Sequence, residues 1–474
     1  MQEVARYVHH LPLYTAPSIE YTANIYAPLF FRVSSWIALL TGPSFVSMRL
    51  VSTLSTVGLL VVMALMVWLE LPKGSEGRLL SVVFSTGLFL SLYPICQAFF
   101  DLGRVDMLCL FLAGCALLAG RRGMPVVAGL LWVLSFQTKQ GMLPVAILSL
   151  CFEWQRPRRV LFGLATFTAV GGASVAWLAH TQPFWYLRLV YQTAGGFPII
   201  PRQVTGLLSV DLFAPLGIAI LIVLVAAVLK PPCWRSRTSS FYAFSFLGMV
   251  LFSCFLRAHG GASINAMIPA WIWITVVAGV AFGRLYQSFR AQSSVPAQGL
   301  LVAAACIQLI SHLYNPGTYV PSSTETEARE AFLEQVRAIP GEVLIFENPQ
   351  YDVLTGKKPH AAGVVLETIL QSSYPVDAAT VKSDIQKAVE SHSFAAIVSD
   401  SPEGSELATE WMPSDLLSYY PVRIAAKGSE VHSFTPQPSF IYMPCKSSTM
   451  PDPGVVLRGS LIDSSRCTQN VKDQ

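Results

Sequence analysis

Three ionisable side chains, Asp101, Arg104 and Asp106, fall within the stretch Phe99-Phe-Asp-Leu-Gly-Arg-Val-Asp106, between two long runs that carry almost no charge. A charged group at the end of a membrane helix is costly unless it faces water, a partner or a ligand. A carboxylate held there can take the proton from an attacking hydroxyl. A guanidinium can grip a phosphate through two parallel hydrogen bonds. A single charge would be explained by a capped helix boundary, with Asp106 as N-cap and Arg104 as interfacial anchor. Three together point to a site. Further cations and donors follow at Lys139-Gln140 and at Arg257-Ala-His259-Gly-Gly, with Asn265 beyond. Taken alone, Lys139 also reads as a snorkelling lysine and His259 as a loop histidine bonded to backbone.

The elements that must position these groups are membrane helices. Of the 474 residues, 53% are hydrophobic and only 13% charged, with mean hydropathy +0.51. A soluble domain carries about 25% charged residues, so most of this chain is expected in lipid. No basic run tracks nucleic acid, and the nine cysteines show neither CxxC spacing nor clustering with histidine. Zinc, haem and iron–sulfur sites are therefore not expected. Met1–Tyr26 has no apolar h-region of a cleavable signal peptide; it is polar, rich in tyrosine, and reads as a loop on a membrane surface. Residues 26–41 read as a juxtamembrane or re-entrant helix with Tyr26 and Trp36 at the interface. About ten crossings follow, near 46–69, 79–99, 106–120, 124–137, 141–152, 159–179, 208–229, 241–256, 264–283 and 298–314. The chain thus divides into a loop with a juxtamembrane helix (1–45), a transmembrane domain (46–314), a small soluble α/β domain (315–445) and a flexible tail (446–474).

Charge in the connections sets the orientation. Lys73 and Arg78, Arg121 and Arg122, Arg156, Arg158 and Arg159, Lys230, Arg235 and Arg237, and Arg284 and Arg290 all fall on one alternate set, which is expected to be cytoplasmic. Asp101, Arg104, Asp106, Lys139, Gln140, Arg257 and His259 then converge on the opposite face. A transporter would place its polar groups near the midplane, in broken helices with internal repeats, and no repeat is visible. Beyond residue 314, strand-like runs Val343–Glu347, Ala395–Ser399 and Val422–Ala426 alternate with helical runs Glu325–Val336 and Val376–Val389, predicting the exported α/β domain. Cys445 and Cys467 could pair on that oxidising side or stay as thiols.

In combination these motifs resemble a family. Tyr26-Ala-Pro-Leu-Phe-Phe31, with Gly42 and Arg49-Leu50 beyond, is similar to the "YPPLyy…G…RL" signature of GT-C-fold glycosyltransferases, the superfamily of protein O-mannosyltransferases and RgtA/ArnT-like bacterial enzymes. Asp101-Leu-Gly-Arg104-Val-Asp106 resembles the "DlaRvD" element of a bacterial branch. Lys139-Gln140 resembles its "tKQ", and Arg257-Ala-His259-Gly-Gly with Asn265 and Pro269 its "r.h.Ga..N…Pa". The resemblance implies an inverting transfer of a sugar from a polyprenyl-phosphate donor to a glycan, lipid or protein acceptor, on the extracytoplasmic face of a bacterial cell membrane. It implies Asp101, Glu3 and Asp106 as catalytic carboxylates; Arg104, Lys139, Arg257 and His259 on the donor phosphate; and Tyr26, Gln140 and Asn265 on the substrate. The family opens with a transmembrane helix and an acid directly after it. Neither is in this sequence, where Glu3 aligns with the acid that follows. A divalent cation is possible within the family. A non-catalytic protein of the same scaffold, binding a lipid-linked sugar or a partner, is the alternative function.

The asymmetry of the basic connections makes a direct prediction. A reporter fused after Leu313 should lie outside the cytoplasm and one fused after Arg237 inside it. Cytoplasmic activity from the Leu313 fusion would overturn the placement of every candidate residue.

Overall fold

The computed structural model describes residues 1–182, 184–229, 236–372, 378–400, 412, 416–426, 438 and 440–444. Among the described residues, five helices are long and apolar enough to cross a membrane: Phe45–Glu70, Pro157–Thr181, Pro201–Leu229, Arg237–Arg257 and Ile264–Ala291. Between and after them lie shorter apolar helices, Gly77–Ser91, Val105–Arg121, Pro125–Thr138, Gln140–Glu153 and Val295–Ile310. In chain order we label Gln2–Val8 α1, Leu29–Thr41 α2, Phe45–Glu70 α3, Gly77–Ser91 α4, Val105–Arg121 α5, Pro125–Thr138 α6, Gln140–Glu153 α7 and Pro157–Thr181 α8.

The helix Ile264–Ala291 is the axis of the bundle. Over residues 268–283 it is apolar on all sides, and Trp271 and Trp273 are almost fully enclosed. Gly279 and Gly283 let Ser81, Ser85 and Leu71 come so close that a Cβ would collide with them, which brings α4 and the end of α3 onto the axis. Several polar residues inside the bundle are paired there, as a membrane interior favours. Ser81 donates to the Gly77 carbonyl at 2.6 Å, and Gln308 accepts from the amides of Ile218 and Ala219 at 3.0 and 3.2 Å.

Two departures from the expected elements matter for the site. The crossing expected over 79–99 stops at Ser91, and Leu92–Arg104 forms a chain of turns with left-handed backbone at Gln97 and Ala98 (φ 54° and 61°). Pro94 supplies the reason, because it lacks an amide hydrogen and disfavours helical geometry at Tyr93. The apolar run therefore continues past the helix and folds back as a loop that carries Asp101 and Arg104.

The second departure is the N-terminal segment, which is not a loop laid on a surface. Gln2–Val8 is helical, and Val4, Leu13, Tyr14, Tyr21, Ala23 and Ala27 are buried. They share one continuous apolar cluster with Phe30, Phe31 and Val105 on one side and Leu344, Phe346, Leu366 and Ile369 on the other. Gln2 Nε2 donates to the His360 carbonyl at 2.8 Å, and the Ala361 amide donates to Ile19 O at 2.9 Å. The segment is wedged between the helical bundle and the C-terminal sheet.

Among the described residues that sheet has four strands, β1 Val343–Ile345, β2 Ala396–Ser399, β3 Val422–Ala425 and β4 Phe440–Met443, in the order β1-β2-β4-β3. β1 and β2 run parallel; β4 pairs antiparallel with both β2 and β3. β4 was not among the expected strands: four residues cut off from a longer pattern give too little alternation to read. Helix Ser323–Ala338 starts at a capping box, with Ser322 Oγ accepting from the Glu325 amide and Glu325 accepting from the Ser322 amide. Cys445, Cys467 and the tail lie outside the described residues.

A buried acid in this domain gives a pH prediction. Asp352 is fully enclosed, its Oδ2 accepts from the His360 amide at 3.2 Å, and burial pushes its carboxyl up to about 6. A carboxyl raised above its unfolded value near 4 stabilises the fold while protonated. Its contribution is full below about pH 4 and is lost as pH rises through about 6. Thermal melts of the whole protein between pH 4 and 7.5 should show this decline, and Asp352→Asn should flatten it. An identical slope in the variant would remove Asp352 as its origin.

Candidate active site

The sharpest polar convergence among the described residues is on Asp106. Arg104 is the extended N-cap residue of α5, so Asp106 lies in the first turn, where the helix dipole favours a carboxylate. The Asp106 side chain is only 3% exposed, and Lys139 Nζ donates to its Oδ1 at 2.7 Å. Asn265 Nδ2 donates to the same oxygen at 2.9 Å. Arg104 Nε lies 3.7 Å from Oδ2, which has no hydrogen bond of its own. Lys139 caps the C-terminal end of α6, and Asn265 opens the axial helix, so three helix ends meet at one carboxylate. A narrow crevice lies beside it, lined by Asp106, Lys139, Asn265, Phe252, Leu256 and Pro269.

Tyr26 joins the group. Arg104 Nη2 donates to its hydroxyl at 3.5 Å, and Lys139 Nζ stands 5.9 Å from its ring centroid. The Tyr26 carbonyl accepts from Tyr14 at 2.6 Å, which holds the residue in place. Gln140 acts as a tie, its Nε2 donating to Ile25 O at 2.7 Å and to Val190 O at 2.8 Å. Arg104, Asp106, Lys139, Asn265 and Tyr26 are therefore brought together, with Gln140 behind them.

The other candidates are placed elsewhere. Asp101 faces Arg49 and Tyr93, not Arg104: the Arg49 guanidinium forms an ion pair with Oδ2, and the Tyr93 hydroxyl donates to Oδ1 at 2.8 Å. Burial, reinforced by that carboxylate, raises the Tyr93 hydroxyl well above its ordinary range, so it stays a donor. Asp101 is 25% exposed, the most open of the three carboxylates. Glu3 is buried in α1, accepting from Asn24 Nδ2 at 2.6 Å. Arg257 Nε donates to Asp211 Oδ2 at 3.1 Å, and its Nη1 to Ala262 O at 3.1 Å. His259 Nδ1 lies 2.7 Å from the Phe255 carbonyl, the local backbone contact that a loop histidine makes.

Two partners escaped the sequence reading. Asp211 is a lone acid in the apolar helix Pro201–Leu229, and an intramembrane charge is itself a signal that could have found it. Arg49 stood in the sequence only as part of a motif; the fold of Leu92–Arg104 puts it on Asp101. Among the described residues no three His, Cys, Asp or Glu side chains gather as a metal site would require. At Asp106 Oδ1, Lys139 and Asn265 already take the positions a metal would need, so the residues here do not fit a divalent ion.

Residues 24–258 match the model of glycosyltransferase family 87. No curated protein sequence matches the chain. The structure is similar to ArnT from Cupriavidus metallidurans bound to undecaprenyl phosphate, with TM-score 0.58 and 12% identity over 95% of this chain and 93% of that one. It is also similar to the apo state of the same protein, with TM-score 0.56 and 12% identity over 93% of this chain and 91% of that one. The matched segment contains Tyr26, Arg104, Asp106 and Lys139. By architecture and by this match, the chain is a membrane protein of the GT-C glycosyltransferase fold.

Proposed function

We propose that the chain moves a sugar from a polyprenyl-phosphate donor to an acceptor hydroxyl, with inversion, at the Asp106 end of the bundle. That end faces away from the cytoplasm of a bacterial cell. The observation that carries this reading is the state of the two cations. Lys139 is spent on the buried Asp106, while Arg104 contacts Asp106 at one edge and leaves its side chain 43% exposed. An arginine braced from behind and open in front suits a phosphate, which it can hold bidentately as negative charge grows on the leaving group. The ArnT relative was solved with undecaprenyl phosphate, which agrees with a donor of this class.

In the proposed step the acceptor oxygen attacks the anomeric carbon, the carbon–oxygen bond to phosphate breaks, and polyprenyl phosphate leaves. The hydroxyl proton passes to a carboxylate. Of Asp101, Glu3 and Asp106, only Asp101 combines solvent access with a position beside the Arg104 loop, and it is our choice for the base. Asp106 and Asn265 position Lys139, and Tyr26 backs the arginine. Arg257, held by Asp211, shapes the loop that ends at Asn265; His259 and Gln140 hold backbone. The exported C-terminal domain covers the same end through the N-terminal wedge.

A labelled sugar carried on polyprenyl phosphate should be transferred by the purified protein in lipid. Arg104→Ala should weaken donor binding more than Arg104→Lys, which keeps the charge but loses the fork. Equal binding by wild type and both variants would take Arg104 out of the site.

Asp101→Asn separates two roles. A general base gives turnover lower by about 10²–10⁴-fold with donor binding nearly unchanged. A brace for Arg49 gives a lower melting temperature with turnover retained. Full turnover in a folded Asp101→Asn protein would reject the base assignment.

A further inference from the structure

The end of the bundle opposite Asp106 holds a second concavity that the transfer reaction does not use. α5 carries Asp106 in its first turn and Arg121 in its last, about 22 Å apart along the axis. Two hollows adjoin there. One, of about 290 Å³, is lined by Met66, Glu70, Arg121, Arg122, Arg237 and Tyr242. The other is an apolar groove of about 420 Å³ between helices Pro201–Leu229, Arg237–Arg257 and Ile264–Ala291, walled by Val223, Ala243, Leu247, Val277 and Val280, with Arg284 at its rim. Tyr242 lines both hollows. Thr238, on the groove wall, accepts from Arg121 Nη2 at 3.0 Å.

The charges do not cancel. Arg121 grips Glu70 with both arms of its fork, at 2.5 and 3.1 Å. Arg237 pairs with Glu153, which also takes Arg159 at 3.1 Å. Arg122 and Arg284 are exposed, and neither has a carboxylate within salt-bridge distance among the described residues. The Tyr242 hydroxyl is buried with no hydrogen-bond partner. Surplus exposed arginines beside an apolar slot fit an anionic phosphate that carries hydrocarbon.

The depth of the slot narrows the class. From Arg284 back to Val277 the axial helix rises about 10 Å, less than the roughly 15 Å of one leaflet's hydrocarbon. A groove confined to one leaflet suits an acyl chain better than a long polyprenyl tail. We infer that this is a binding site for an anionic diacyl phospholipid. Its phosphate is held by Arg122 and Arg284, and one acyl chain lies along Leu247 and Val280. The inference stands independently of the transfer chemistry.

The test uses the full chain in detergent, titrated with dioleoyl phosphatidylglycerol or dioleoyl phosphatidylcholine and read by native mass spectrometry. The glycerol lipid should bind at least tenfold more tightly than the choline lipid. Arg122→Gln combined with Arg284→Gln should weaken phosphatidylglycerol about 30-fold, from about 1 kcal/mol per arginine. Both residues are exposed, so an unchanged melting temperature should accompany the loss. Ala243→Trp, which fills the groove and keeps both arginines, should weaken the same lipid. No head-group preference in the wild type, or full preference in the double variant, overturns the site. Undecaprenyl phosphate displacing phosphatidylglycerol at equimolar concentration would assign the groove to the carrier lipid and overturn it as well.

Discussion

The geometry of the Asp106 end depends on a carboxylate that has been taken out of water. Removing a charge from solvent costs several kcal/mol, and the cost is offset only by a close opposite charge with good hydrogen bonds. Asp106 receives both from Lys139 and Asn265 on one oxygen. Helix dipoles help, since the carboxylate sits at the start of α5 and the ammonium at the end of α6. The starts of α5 and of the axial helix are thereby tied to the end of α6. Arg104, next in line, needs no full pairing and keeps a face toward solvent.

The rest of the bundle serves that tie by being rigid around it. The axial helix brings Asn265 to the carboxylate at one end and, at Gly279 and Gly283, lets α4 pack against it without side chains between. α4 then ends early at Ser91, and the Tyr93-Pro94 break releases a loop that would otherwise have stayed in the hydrocarbon. That loop gives Asp101 its own partners, Arg49 and Tyr93, so the two carboxylates of one short motif have different surroundings. One is enclosed and neutralised. The other is partly open to solvent.

The N-terminal segment joins bundle and sheet. Ile25 and Tyr26 belong to it and are held from the bundle side by Gln140 and Arg104 respectively, while Gln2 and Ile19 bond the loop at His360–Ala361. Residues that touch Arg104 and Lys139 are therefore continuous, over about twenty positions, with residues that hold the C-terminal domain. At the opposite end, Glu70 and Glu153 each neutralise arginines but leave Arg122 and Arg284 over, so the two ends differ in chemistry as well as in charge.

Composition and apolar periodicity alone determined that this chain is a helical membrane protein with a small α/β domain beyond its last crossing. Those signals are local, because a run of apolar residues carries its own reason to be a helix in lipid. The cluster Arg104, Asp106, Lys139 and Asn265 was legible as a set, since charges at membrane helix ends are costly wherever they fall. Its pairing was not. Whether Arg104 would meet Asp101 or Asp106 turned on a proline-induced break and on which helix ends meet, contacts between residues 33 and 159 positions apart. Asp211 under Arg257, Arg49 on Asp101 and the burial of the N-terminal tyrosines were decided in the same way. A side chain's partner is chosen by distance in space, and in a bundle that distance is set by helix packing, which no single stretch of sequence contains.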